Sequence, residues 1–220
     1  MDHDLLETLE ARVDPRHTAV LVVDMQNDFC AEGGYINIVL KKDVSDCKIV
    51  AATVMKVVEA ARTLGAPVIW IKAIYDPRFI SGPVIVKQRE KGLDAVCCAA
   101  GTWGAEFFMV SPRADEFVIE KHRYSAFSCT ELDNILRDRG IRTLVVTGVA
   151  TNVCVESTFR DGFHRGYYIV LPRDAVGSHN KEAHEATLRG ADFLFGDVIT
   201  ADRLGEVWAT AAAPRRRRAG

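Results

Sequence analysis

Residues 143–160 read TLVVTGVATNVCVESTFR, and the fold class follows from how that stretch is divided. Leu144, Val145 and Val146 form a short apolar run, and a helical pattern leads out beyond Cys154. Gly148, Thr151 and Asn152 occupy the turn between them. A strand, a tight turn and a helix in that order make one unit of an α/β sheet. Cys154 falls about where the helix begins, with its sulfur aimed at unpaired backbone N–H groups and the positive end of the helix dipole. Both favour thiolate over thiol, and the thiolate is the nucleophile. Position alone leaves two readings of Cys154: a catalytic nucleophile, or the small buried hydrophobe that most free cysteines are.

Outward from that unit the same pattern repeats. His17–Asp24, HTAVLVVD, is a continuous apolar run, which suggests a strand buried on both faces. Helical periodicity covers about 43–64 and stops at Gly65, and PVIWI at 67–71 reads as a second strand. EFVIE at 116–120 is a third strand, 131–139 a short helix, 143–147 a fourth strand and 153–164 a helix. Residues 167–171 form a fifth strand, 181–188 a helix, Phe193–Phe195 a short sixth strand and 201–209 a last helix. Six strand–helix alternations predict a three-layer α/β/α sandwich on a six-stranded, mostly parallel, doubly wound sheet. The segment 75–104 breaks the pattern and reads as an irregular insertion over a binding site.

Length and composition narrow the classes. At 220 residues the chain supports one domain over 1–210, with 211–220, including the arginines 215–218, as a solvated basic tail. A net charge of −2 gives no electrostatic case for nucleic acid or an anionic membrane as partner. No stretch approaches the roughly 20 apolar residues of a membrane span. The acidic, amphipathic start, MDHDLLETLEARVD, is no secretory signal and reads as a helix on the domain or on a partner subunit. Six cysteines without a CxxC pair suit reduced thiols in the cytoplasm. Cys97 and Cys98 lack nearby histidines and read as packing, so neither metal nor cofactor is expected. No GxGxxG follows the first strand and no GxSxG occurs, which leaves dinucleotide binding and serine hydrolysis unsupported.

Three reactive or charged groups end three strands: Asp24, Lys121 and Cys154. Parallel strands share a carboxyl edge, so neighbouring strands bring such groups together. An aspartate within reach can take the thiol proton, and a lysine between the two favours both anions. Backbone N–H groups of the GVATNVC turn are placed to hold an oxyanion. Against this stand the ordinary roles of capping and surface ion pairing.

VVDMQNDF at 22–29, EKHRYSAF at 120–127 and TGVATNVCVESTFRDGF at 147–163 resemble the isochorismatase-like cysteine hydrolases. RYSAF, LDNILRDRGIRTLVVTG and NVCVESTFRDGF are most similar to the ureidoacrylate amidohydrolases and their N-carbamoyl amidase and biuret hydrolase relatives. The resemblance implies an Asp–Lys–Cys triad at Asp24, Lys121 and Cys154. It also implies a cis peptide at Val149–Ala150, with the Ala150 and Cys154 amides as oxyanion hole, and a homodimer or homotetramer. Nicotinamidase relatives carry an aspartate–histidine metal cluster after the second strand, and KAIYDPRF at 72–79 has no histidine there. The expected reaction is therefore cysteine-dependent hydrolysis of a C–N bond in a small ureido, carbamoyl or amide molecule. Tyr124, Trp103, Gln26 and Tyr75 are the expected substrate contacts, with Arg78 and Arg89 as candidates for a substrate carboxylate. His122 is a candidate to approach the site. The alternatives are a biuret or N-carbamoylsarcosine hydrolase, or a non-catalytic redox sensor in which Cys129 resolves an oxidised Cys154.

Overall fold

The computed structural model describes residues 5–93 and 95–212, so most of the basic tail lies outside the described residues. One-turn helices α1 (Leu9–Arg12), α2 (Asn27–Cys30) and α3 (Tyr35–Ile38) lead to the long α4 (Cys47–Thr63). After them come α5 (Gly82–Glu90), α6 (Leu132–Asp138), α7 (Glu156–His164), α8 (Lys181–Leu194) and α9 (Ala201–Ala212). The strands are β1 (Thr18–Val23), β2 (Val68–Ala73), β3 (Phe117–Lys121), β4 (Thr143–Val149), β5 (Tyr168–Pro172), β6 (Val176–Gly177) and β7 (Gly196–Ile199). All pair in parallel in the order β3-β2-β1-β4-β5-β7, with β6 also on β4.

The buried strands explain the layers. Every residue of β1 and β4 is buried, as continuous apolar runs require. Successive side chains point to opposite faces, so Val20 and Val22 join α4 and α9 in one core, through Val54, Val58 and Trp208. Ala19, Leu21 and Val23 face the other core, with Leu136, Phe159 and Leu188 from α6, α7 and α8. On α4 the buried positions 50, 54, 57, 58 and 61 form one helical stripe. Each such valine adds roughly 1.5–3 kcal/mol on burial.

The chain runs outward from β1 through β2 to β3, then returns to the other side of β1 with β4. The connection changes direction between β1 and β4, and ligands bind outside the strand ends at such a point.

Three expectations change. Phe193 and Leu194 end α8 instead of forming a strand, since Thr187, Leu188 and Ala191 keep the helical spacing of buried positions. The edge strand starts at Gly196, where a Cβ would lie 2.1 Å from the Ile169 carbonyl oxygen. Only glycine permits that approach to β5. The short β6 adds a seventh strand, and the irregular segment contains α5.

Gly148 sits in register with Val23 at φ +103, and a Cβ there would lie 2.0 Å from the Val23 carbonyl oxygen. Backbone cannot give way as a side chain can. Gly148→Ala is expected to cost on the order of 3 kcal/mol, read as a lower urea midpoint with an unchanged slope.

Candidate active site

Asp24 follows the last residue of β1 with φ +51, a left-handed conformation that aspartate tolerates better than most residues. Its amide donates to the Ile71 carbonyl of β2 (3.0 Å), which holds it at the sheet edge. Lys121 ends β3, level with Ala73 of β2, so β2 separates it from β1. The neighbouring-strand expectation is corrected here: only Cys154 and Asp24 lie on adjacent strand ends. The lysine has to reach across β2, and the methyl group of Ala73 leaves room for its long side chain.

Lys121 Nζ lies 2.8 Å from Asp24 Oδ2 and 3.5 Å from Cys154 Sγ, and it donates to the Arg123 carbonyl at 3.0 Å. Two hydrogen bonds and one ion pair thus surround the ammonium. The Lys121 side chain is 0% and the Asp24 side chain 1% exposed. Neither Asp24 oxygen has a well-directed hydrogen bond among the described residues, so its hold on the lysine is the ion pair itself.

Burial sets the protonation states. Desolvation pushes the Asp24 carboxyl above its ordinary range, against the attraction of Lys121. Lys121 stays protonated, its own desolvation outweighed chiefly by the charge of Asp24. The Cys154 thiol is pushed up as well, by burial first and the Asp24 charge second, with Lys121 opposing. This reverses the expectation that the turn favours a resting thiolate. Cys154 lies in a π-type turn, Thr151–Val155, ahead of α7, and the burial there overrides any helix-end effect. The resting site is a neutral thiol beside a carboxylate whose raised pKa suits a base.

The Val149–Ala150 peptide is cis, in agreement with the resemblance. Beneath the turn, His184 Nδ1 meets Thr151 Oγ1 at 2.8 Å and Ser178 Oγ donates to Asn152 Oδ1 at 2.6 Å. The Ala126 amide donates to Thr158 Oγ1 at 3.0 Å, and Ser125 Oγ donates to Asp161 Oδ2 at 2.6 Å. The RYSAF loop and the ESTFRD helix are thereby fastened to each other. Two stretches that look independent in sequence form one scaffold for Lys121 and Cys154.

Above them lies a cavity of ≈ 300 Å³, at the low end of small-molecule sites. Asp24, Cys154, Ala150, Tyr75 and Tyr124 line it. The Tyr75 hydroxyl is 4.0 Å from Cys154 Sγ, and its ring faces Lys121 Nζ at 5.9 Å. Gln26 and Trp103 stand outside the cavity lining. Gln26 is fully buried, accepting from the Ala73 amide (2.7 Å) and donating to the Ala73 and Ala105 carbonyls (2.9 Å each). Trp103 is 51% exposed, and its carbonyl accepts from Asn27 Nδ2. The two clamp 101–107 onto the end of β1.

Arg78 pairs with Asp76 at 2.5 Å near the surface, and Arg89 is off the cavity. Lys87 and Lys91 line it instead, with Val84 and Gln88. The spacing of 84, 87, 88 and 91 puts them on one face of α5 and its C-cap, a helical period that the reading of this segment as irregular missed. His122 is turned away, its Nδ1 2.6 Å from the Ile74 carbonyl and its ring stacked on Phe79. Cys129 is exposed while Cys154 is buried. Among the described residues no helix is long and apolar enough to cross a membrane.

A parallel α/β sheet with a buried carboxylate, ammonium and thiol at its switch point defines the class: a hydrolase-type α/β/α fold built around a cysteine. The isochorismatase domain family matches residues 18–203, and the chain belongs to that family. It is 38% identical over 205 residues to the ureidoacrylate amidohydrolase RutB of Pseudomonas syringae pv. syringae, covering 87% of this chain and 83% of that one. A cysteine hydrolase from Pseudomonas syringae pv. phaseolicola superposes with a TM-score of 0.80 at 27% identity, over 96% of this chain and all of that one (100%). An N-carbamoylsarcosine amidase from Thermoplasma acidophilum gives 0.68 at 28% identity, over 84% and 96% of the two chains.

Lys121→Met leaves a buried, uncompensated carboxylate and is expected to cost about 3–5 kcal/mol of stability. The double change Asp24→Leu with Lys121→Met removes both charges and is expected to recover most of that loss. Chemical denaturation of the three proteins checks the pair as the source.

Proposed function

We propose that this protein is a cysteine-dependent amidohydrolase that cleaves a C–N bond of a small ureido or carbamoyl substrate of the ureidoacrylate kind, through a thioester. One observation carries the reading: a single buried ammonium spans Asp24 and Cys154 at 2.8 and 3.5 Å on the floor of a cavity. The names of the relatives, a ureidoacrylate amidohydrolase and an N-carbamoylsarcosine amidase, support the ureido or carbamoyl group.

In the proposed reaction Asp24 takes the Cys154 proton as Sγ attacks the carbonyl carbon. The Ala150 and Cys154 amides hold the oxyanion, and Lys121 keeps its charge throughout. When the tetrahedral intermediate collapses, Asp24 returns the proton to the departing nitrogen, and the acyl group stays on sulfur. Water then gives a proton to Asp24 and its oxygen to the thioester carbon, and the thiol is restored as the acid product leaves. Tyr75 and Tyr124 contact the substrate in this reading. Gln26 and Trp103 support the walls from behind.

Six unpaired cysteines fit a reducing compartment, and we assign the protein to the cytoplasm. A homodimer or homotetramer belongs to the same proposal, with the exposed Phe163, Phe193 and Leu194 beside the edge strand β7 as support. A redox-sensing role through Cys129 is less favoured, because the thiol is held protonated and Cys129 lies outside the cavity lining.

Ammonia release from ureidoacrylate, N-carbamoyl amino acids, biuret and simple amides tests the reading. Cys154→Ala is expected to lose at least about 1,000-fold in kcat on the best substrate. Full turnover by that variant would reject the mechanism. The pH profile tests the base. Asp24 must be ionised to act, so kcat/KM falls as pH drops through its raised pKa. The acid limb is expected above the ordinary aspartate value of about 3.9. Lys121→Gln removes the charge that favours the carboxylate and moves the limb to higher pH, whereas Lys121→Arg keeps it closer to wild type.

A further inference from the structure

Next to the catalytic centre, on the wall formed by the irregular segment, Cys97 and Cys98 meet Asp28. A sulfur from each cysteine and a carboxylate oxygen of Asp28 all lie within 4.8 Å of one another. The two sulfurs are 3.8 Å apart. Two thiolates bound at about 2.3 Å with tetrahedral angles stand about 3.8 Å apart, so the sulfurs already have the spacing a zinc-class ion imposes. They are too far apart for a disulfide, whose bond is about 2.05 Å.

That geometry is unusual for adjacent residues. Consecutive side chains of an extended chain point to opposite sides. Cys98 has φ +50, and this left-handed turn brings both thiols to the same side. Asp28 is held there by two amides, Cys98 N to Oδ2 at 2.6 Å and Tyr35 N to Oδ1 at 3.0 Å. A carboxylate offers about four acceptor positions, so two remain for an ion. Gly104 makes room for the carboxylate itself, since a Cβ there would fall 2.2 Å from Asp28 Oδ2. Cys98 is fully buried, and Cys97 lines the cavity that contains Cys154.

We infer that Asp28, Cys97 and Cys98 form a three-donor site for a thiophilic divalent ion of the zinc class, with its fourth position toward the active-site cavity. The donor set is two sulfurs and one oxygen, which selects zinc or cadmium over magnesium or calcium. Binding replaces the two thiol protons, which leave to solvent, so affinity rises with pH. The site stands apart from Asp24, Lys121 and Cys154 and does not depend on the reaction proposed above. Its position makes a bound ion part of the substrate chamber wall.

The full chain with Cys154→Ala, which removes the catalytic thiol, is titrated with cadmium as the spectroscopic probe. The expected result is one equivalent bound, an ultraviolet thiolate-to-cadmium charge-transfer band, two protons released per ion and displacement by zinc. Loss of even an outer partner of a metal site costs about 10–100-fold in affinity, so a further Cys97→Ser change is expected to weaken binding at least about 100-fold. Asp28→Asn, which keeps one carbonyl oxygen as acceptor, is expected to weaken it less while the band persists. The same band in a Cys97→Ser/Cys98→Ser protein would place the ion elsewhere, for example at the hydrogen-bonded Cys30 and Cys47, and would overturn the site. Absence of any band in the Cys154→Ala protein at millimolar cadmium would overturn it as well.

Discussion

A lysine ammonium and an aspartate carboxylate with no solvent access are the constraint around which this domain is assembled. Withdrawing each from water costs several kcal/mol, and only close pairing offsets it. Lys121 therefore carries three contacts, to Asp24, Cys154 and the Arg123 carbonyl, in place of water. Each contact fixes a different part of the chain. Asp24 fixes the end of β1, Cys154 the turn after β4, and Arg123 the loop that follows β3. The pair contributes little net stability, but it admits one arrangement of three strand ends.

The surrounding hydrogen bonds serve that arrangement. Gln26 binds the end of β2 on one side and the 101–107 segment on the other, so both walls are tied to β1. Thr158 and Asp161 hold the loop after Lys121 against the helix after Cys154. Buried polar groups that are fully paired favour one geometry and penalise departures from it. Cys154 and Lys121 are consequently carried on rigid elements, while α5, which roofs the cavity, has no fully buried residue. On that roof Lys87 and Lys91 are the cations, set among mostly apolar neighbours such as Val84, Leu93 and Ile36. An apolar chamber with cations at one side suits a small molecule that is neutral at its reacting end and anionic at the other.

Protonation follows from the same burial. The thiol of Cys154 and the carboxyl of Asp24 are both driven toward their neutral forms, and one ammonium cannot fully support two anions. In the proposed reaction the one negative charge starts on Asp24 and passes to the substrate oxygen as sulfur attacks. The reactive charge is generated only when a carbonyl is present to receive it. An exposed helix end would have favoured a standing thiolate. The buried turn before α7 favours a protected thiol.

By itself the sequence determined the doubly wound parallel sheet, because continuous apolar runs such as HTAVLVVD suit only strands covered on both faces. It placed Asp24 and Lys121 at the carboxyl ends of two strands and Cys154 in the turn that follows a third, and the folded sheet brings the three together. It misplaced the sixth strand, where FLF carries no period and the buried spacing of Thr187, Leu188 and Ala191 decides for helix. Tertiary structure alone decided that Lys121 crosses β2 above Ala73, that Gln26 and the Trp103 carbonyl hold the 101–107 segment, and that Lys87 and Lys91 line the cavity where Arg78 and Arg89 do not. It also decided that Asp28, about 70 residues away in the chain, meets Cys98. Strand character is a local property of a few residues and can be read along the chain. Which side chains share a cavity depends on strand order and loop closure, which only the folded sheet sets.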